Sequence, residues 1–247
     1  MAKSRLGHLE AMAGREHMER FWDARAREDP WFFVDNRMPY RGADLERFWA
    51  EGARDLDRLL DALGARVQPG DTVVEVGCGV GRLARALAPR ARQVIALDVS
   101  GEMLALAREH NPHLANVRWL HGDGTTLAPI ADASADACLS HVVFQHLPDP
   151  AITLGYVAEM GRVLRPGGWA AFQLSTDPTL HRRPRRRPSQ HLRALVGRAP
   201  RGVADPAWLG AAVEMDALEA AAAGAGLRVE RVVGAGTQFC AVLARRV

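Results

Sequence analysis

Residues Val73–Ala88, VVEVGCGVGRLARALA, constrain the fold of this chain more than any other stretch. A β-branched run reads as a short strand, and Gly77, Gly79 and Gly81 at alternate positions force a tight turn. The leucine and alanine spacing behind the turn is helical. A strand running through a glycine-rich turn into a helix is the unit of an open α/β sheet, and such sheets bind ligands at the carboxyl ends of their strands. Glycine there lets the backbone approach a ligand closely and take positive φ. The dinucleotide pattern G-x-G-x-x-G would need a third glycine where this chain has Arg82, so a dinucleotide is disfavoured.

The rest of the chain repeats the alternation. QVIALD (Gln93–Asp98), NVRWLHGD (Asn116–Asp123), DACLSHVVF (Asp136–Phe144) and GWAAFQLS (Gly168–Ser175) read as buried strands. GEMLALAREH (Gly101–His110) and AITLGYVAEMGRVL (Ala151–Leu164) read as helices, the second stopped at Pro166 and its glycines. MDALEAAAAGAG (Met215–Gly226) is a last helix, followed by LRVERVVG (Leu227–Gly234) and TQFCAVLAR (Thr237–Arg245), which read as a hairpin. Strands alternating with helices predict a mostly parallel sheet covered on both faces. Two regions stand outside this core. Residues 1–68 carry helical spacing rich in Arg, Glu, Trp and Phe, and residues 177–213 hold a proline-punctuated basic segment.

Composition limits what else the chain can be. No run of 18 apolar residues exists and the first residues lack an apolar core like that of a secretory leader, so a soluble, cytoplasmic protein is expected. Cys78, Cys138 and Cys240 are scattered in apolar runs without CxxC or paired histidine, so neither a disulfide framework nor a metal site is expected. The formal charge of +3 is weak evidence for an anionic partner, because Lys3 is the only lysine and the arginines accompany a general alanine richness.

With an acid two residues ahead of the first glycine, the motif is E-x-G-C-G-x-G-R. It resembles the glycine motif of class I S-adenosylmethionine-dependent methyltransferases, and later motifs follow that family in order. Asp98 ends the second strand about 20 residues on, HGDG stands at 121–124, DACLSHVVFQHLPDP resembles the fourth-strand motif of the type-11 branch, and EMGRVLRPGGWAAFQ its fifth. The resemblance implies an α/β, Rossmann-like methyltransferase fold. It would have a seven-stranded, mostly parallel sheet with an antiparallel C-terminal edge strand, helices on both faces and a helical N-terminal extension. The domain would run over 69–247, with 1–68 as extension or lid and a substrate-side insertion at about 177–213.

It also implies S-adenosylmethionine as cofactor, held by Glu75, Gly77, Cys78, Gly79, Asp98, Val99, Met103, Asp123, Gly124 and His141. In that scheme Asp98 accepts ribose hydroxyls, Asp123 meets the adenine amine and Glu75 faces the aminoacyl end. The donor has no phosphate but does have hydroxyls and amines, which suits carboxylates. Methyl transfer is dominated by alignment and exclusion of water, so a base is optional; His141 and His146 are the candidates, with helix capping and pocket lining as their plainer roles. Trp31, Phe33, Arg37 and Tyr40 are candidate acceptor contacts in a lid, or staples holding an N-terminal helix pair. A small-molecule acceptor methylated on O or N is expected, with a natural-product intermediate as the class in view. An RNA or protein methyltransferase using Arg182–Arg187 is the alternative, with no membrane partner and a monomer or homodimer.

Overall fold

The computed structural model describes residues 2–181 and 199–247, with side chains from residue 14 onward, so the arginine run 182–187 lies outside the described residues. Helix α1 spans Ala2–Glu28, the short α2 Pro30–Val34 and α3 Leu45–Leu63. Strand β1 (Thr72–Val76) passes through the glycine turn into α4 (Arg82–Leu87), followed by β2 (Gln93–Asp98), α5 (Gly101–His110), β3 (Val117–His121) and β4 (Ala135–Ser140). Then come α6 (Pro150–Val163), β5 (Leu164–Leu174), the one-turn α7 (Pro206–Leu209), α8 (Met215–Gly224), β6 (Leu227–Val233) and β7 (Cys240–Arg246).

All seven strands form one sheet in the order β3-β2-β1-β4-β5-β7-β6. β1 to β5 pair in parallel and β7 is antiparallel to both neighbours. The C-terminal antiparallel strand thus sits one position inside the edge, which β6 forms. The chain order reverses between β1 and β4, and this switch point is where the carboxyl ends of the strands open into a crevice.

Strand alternation sorts the core into two layers. Val74, Cys138, Phe172 and Val242 point to the face covered by α6 and α8, where Val157, Met160 and Leu218 are fully buried. Val73, Leu139, Ala171 and Leu243 point to the other face, where α3 contributes Leu56, Leu59, Leu60 and Leu63 and α4 adds Leu83 and Leu87. Helix α3 begins with Asp44 accepting from the Arg47 amide and ends at Gly64 in the left-handed region. Although it belongs to the segment that the sequence set apart as an extension, α3 covers one face of the sheet.

Two local readings differ from the sequence. Arg165–Gly168 does not separate α6 from β5: Leu164 already pairs with Ala135, and the next partner, Ala137, faces Trp169, so the proline–glycine segment is an excursion inside β5. The β6–β7 connection is longer than AG, because Thr237 is used locally, its hydroxyl donating to Gly234 O at 2.7 Å and its carbonyl accepting from the Thr176 amide. Cys78, Cys138 and Cys240 are free and buried.

Candidate functional site

At the switch point the β1 strand ends in a turn that β2 holds from beside it. The Gly77 and Cys78 amides donate to Leu97 O at 2.7 and 3.0 Å, and the Gly79 amide donates to Asp98 Oδ2 at 2.7 Å. Gly77 has φ +75°, and a Cβ there would lie 2.4 Å from Val143 Cγ2; Gly79 has φ +53° and faces Val34 at 3.0 Å. Both positions therefore disfavour a side chain by conformation, and Gly77 by space as well. Asp98 Oδ1 accepts from the Ser100 amide at 2.8 Å, and the Ser100 hydroxyl accepts from the Met103 amide at 3.1 Å, capping α5.

A cavity opens over this turn, walled by Glu75, Gly77, Gly79, Asp98, Val99 and Met103 from the sheet side. Cys78, Gly124 and His141 also line it. The enclosed part is narrow, about 110 Å³, because Met18 and Trp22 of α1 and Phe33 of α2 close it from above. Helix α1 is hooked onto the loops below. Asp23 accepts from the Ser100 hydroxyl at 2.7 Å and the Glu102 amide at 3.2 Å, Arg27 pairs with Glu102 at 2.8 Å, and Arg15 with Asp123 at 3.4 Å.

Two acidic side chains, Glu75 and Asp98, line the cavity together with the Arg82 guanidinium. Glu75 is buried and its Oε2 has no hydrogen-bond partner. Burial, and then the neighbouring Asp98 charge, push the Glu75 carboxyl up to about 8. Burial raises Asp98 too, against its two backbone amides. A ligand bringing hydroxyl and ammonium donors would satisfy these groups, whereas a phosphate would meet two carboxylates.

The other sequence candidates separate. Asp123 keeps its carboxylate for its own loop: Oδ1 accepts from the Thr125 and Thr126 amides at 2.8 and 2.7 Å, and Oδ2 from the Thr126 hydroxyl at 2.9 Å. The next residue, Gly124, reaches the cavity wall in its place. Trp31 packs edge-on against Phe48, Trp49 and His110, and Tyr40 donates to Glu28 Oε1 at 2.7 Å, so both staple the N-terminal helices together and line neither cavity. Phe33 is at the wall, and Arg37 lines a second, larger cavity of about 600 Å³.

That second cavity adjoins the first, and Phe33, Val34, Arg82, His141, Val142 and His146 line both. Val142 is a β-branched residue at φ +58°, a conformation that costs about 1–3 kcal/mol and holds its neighbours His141 and Val143 at the junction. His146 Nδ1 lies 2.6 Å from Trp208 O, and a carbonyl only accepts, so Nδ1 carries the proton. Nε2 is then the acceptor, 3.3 Å from the Gln145 amide nitrogen. The cap of α6 is Asp149, not His146. His141 Nδ1 is buried without a partner. Burial brings both imidazoles down to about 4, with the Arg82 charge adding to the effect at His141. Among the described residues, no group of three or more His, Cys, Asp or Glu side chains could hold a metal, and no helix is long and apolar enough to cross a membrane.

Sequence reasoning missed Met18, Trp22, Gln145, Gln173 and Trp208, which line these cavities. Gln145 and Gln173 fall within the fourth- and fifth-strand motifs, which do not mark them as lining residues, whereas Met18, Trp22 and Trp208 sit in no motif and reach the site through the packing of distant segments.

Residues 74–172 match the family model described as "Methyltransferase domain". The malonyl-[acyl-carrier protein] O-methyltransferase of Pectobacterium atrosepticum is 39% identical over 140 residues, which is 57% of this chain and 49% of that protein. The demethylmenaquinone methyltransferase of Staphylococcus aureus is 32% identical over 127 residues, half of each chain. The chain spans about half the length of the curated relatives it matches. Among solved structures, the S-adenosylmethionine-dependent methyltransferase of Mesorhizobium loti superposes with TM-score 0.59 at 22% identity, covering 79% of this chain and 99% of that one. A Haemonchus contortus phosphoethanolamine N-methyltransferase superposes with TM-score 0.67 at 16% identity, covering 98% of this chain and 51% of that one, a likeness of fold that takes in the N-terminal helices. The domain match and these relatives agree that residues 74–172 resemble a methyltransferase domain, and the solved structures share the Rossmann-like fold of the chain.

Proposed function

We propose that this chain transfers a methyl group from S-adenosylmethionine to an oxygen or nitrogen atom of a small molecule, a natural-product intermediate being the class we favour, held in the second cavity. The observation that carries this reading is the wall common to the two cavities, formed by Phe33, Val34, Arg82, His141, Val142 and His146. A donor on one side of it and an acceptor on the other would meet there.

The residues of the first cavity suit the donor: the orphaned Glu75 oxygen, the positive-φ glycine turn that lines the cavity with backbone, and the Asp98 carboxylate. When bound, S-adenosylmethionine supplies an electrophilic methyl group on a sulfonium. Asp98 would accept from the ribose hydroxyls with lone pairs its two backbone partners leave open, and Glu75 would face the aminoacyl end. Gly124 would lie against the adenine while Asp123 keeps its loop in shape. Met18, Trp22 and Phe33 keep water from the transfer line, and alignment in a dry site can lower a barrier by about 7–11 kcal/mol.

A neutral acceptor must lose a proton as it gains the methyl. His146 is neutral, its Nδ1–H fixed on Trp208 O, and Nε2 would take that proton once the acceptor displaces the Gln145 amide that now lies 3.3 Å from it. His141, neutral and with an unpartnered Nδ1, would orient the acceptor.

The test is incubation with methyl-labelled S-adenosylmethionine and separate pools of small hydroxy and amino compounds, RNA and protein. Label in the small-molecule pool, lost in His146→Ala, is the expected result. Label in the RNA or protein pool alone would reject the small-molecule reading and favour a role for Arg182–Arg187.

A further inference from the structure

Nothing in the motifs says what charge the acceptor carries, but the second cavity does. Its wall holds Arg37, Arg58 and Arg82, which by count alone would suit a carboxylate or phosphate. One carboxylate occupies all three. Asp55 binds Arg37 at 2.6 Å, Arg58 at 2.6 Å and Arg82 at 2.6 Å. Asp35 binds Arg37 at 2.6 Å and Arg82 at 3.5 Å, and Glu51 stands 3.8 Å from Arg37 and 3.5 Å from Arg58. With Arg54, which pairs with Glu51 from outside the cavity lining, four guanidiniums share three carboxylates, and each of the three at the cavity has a close carboxylate partner in Asp55. Burial would raise Asp35 and Asp55, yet their arginine hydrogen bonds bring both below the ordinary carboxylate range, so they stay ionised and hold the guanidiniums.

The opposite wall is uncharged. Gln173 Nε2 donates to Gln145 Oε1 at 3.2 Å, Gln145 continues to His146, and both cavity histidines are neutral. At the mouth, Leu180, Val233 and Phe239 are 49%, 40% and 60% exposed; they are three of the five exposed large hydrophobic residues among those described, gathered on one cavity. Such a cluster marks a surface that binds something apolar.

We infer that Asp55 is a specificity-determining residue: by engaging Arg37, Arg58 and Arg82 it takes up the donors that an anionic acceptor would use, and the chamber takes an uncharged acceptor whose apolar ring or chain rests on Leu180, Val233 and Phe239. This inference rests on the second cavity being the acceptor site. It separates the chain from methyltransferases whose acceptors enter as anions, since an anion here would have to displace Asp55 or remain uncompensated.

The experiment uses matched probes on the full-length chain: 1-naphthol, 1-naphthoate and 1-naphthylmethylammonium, which share a ring and differ in charge. S-adenosylhomocysteine is titrated first by calorimetry; its failure to bind speaks against the cofactor reading alone. Each probe is then titrated with and without it. Naphthol is expected to bind at least tenfold more tightly than either ion, and Phe239→Asp to weaken naphthol about tenfold while S-adenosylhomocysteine binding stays unchanged. Asp55→Asn frees guanidinium donors, so naphthoate affinity should rise at least tenfold with naphthol little altered, a gain that mere loss of structure cannot give. Glu51→Gln, at the rim of the cluster, should shift naphthoate in the same direction by a smaller factor and serves if Asp55→Asn does not fold. A wild-type preference for either ion, binding of no probe, naphthol binding indifferent to Phe239→Asp, or no naphthoate gain in any folded variant of the two acids would overturn the inference.

Discussion

Replacing Asp98 by alanine separates structure from ligand binding at the centre of the first cavity. In the free protein the carboxylate accepts from the Gly79 amide at 2.7 Å and the Ser100 amide at 2.8 Å, and both amides are buried. Losing the acceptor leaves each short of a partner, at about 1–3 kcal/mol apiece. For a domain of this size each kcal/mol lowers Tm by about 2–4 °C. Cofactor binding loses a separate quantity. Hydrogen bonds from the ribose to a charged acceptor are worth about 1.5–3 kcal/mol, and at 1.4 kcal/mol per factor of ten this weakens S-adenosylhomocysteine binding by roughly 10- to 150-fold. Calorimetry measures the second effect and urea unfolding without ligand the first. An Asp98→Ala protein that is destabilised yet binds S-adenosylhomocysteine as tightly as wild type would refute the ribose assignment and leave Asp98 a loop anchor only.

Three other outcomes follow from the same geometry. Because burial brings His141 and His146 down to about 4, the base form is already populated at pH 5.5; kcat/KM on a neutral acceptor should be flat from pH 5.5 to 8, and a fall centred near 6.5 would contradict the buried-imidazole account. Glu75, raised to about 8, is mostly protonated at pH 7 and should ionise against the cofactor's ammonium group. Calorimetry in buffers of different ionisation enthalpy should then show release of about one proton, absent in Glu75→Gln, and affinity rising as pH approaches 8; equal heats in all buffers would count against it. Trp22 of α1 lines the cavity, so Trp22→Ala should speed S-adenosylhomocysteine release severalfold in stopped-flow displacement, and an unchanged rate would mean that α1 is not the gate.

What the sequence could and could not reveal follows from how local each signal is. β2 is bounded by the residues its pattern predicts, Gln93–Asp98, because a buried parallel strand is written in consecutive apolar residues. The glycine turn is equally local: positive φ at alternate positions can be read from glycine itself. Asp123 shows the limit of a motif, since the letters HGDG do not say that two following threonines will occupy the carboxylate. Trp31 and Phe33 are two residues apart and both aromatic, yet only Phe33 reaches the cavity, because α2 is a single turn and turns Trp31 toward Phe48. The acceptor chamber was the least legible part. Asp55 on α3, Gln145 after β4, Gln173 on β5 and Phe239 before β7 carry no shared spacing, and only the sheet order brings them to one cavity.

The central claim is that the glycine turn and Asp98 form a cofactor site for a phosphate-free sulfonium donor. Calorimetric titration of the full chain with S-adenosylhomocysteine, with NADH as control in the same buffer, tests it most directly. Micromolar or tighter binding of S-adenosylhomocysteine with no heat from NADH is the expected result. Binding of NADH, or of neither, would contradict it.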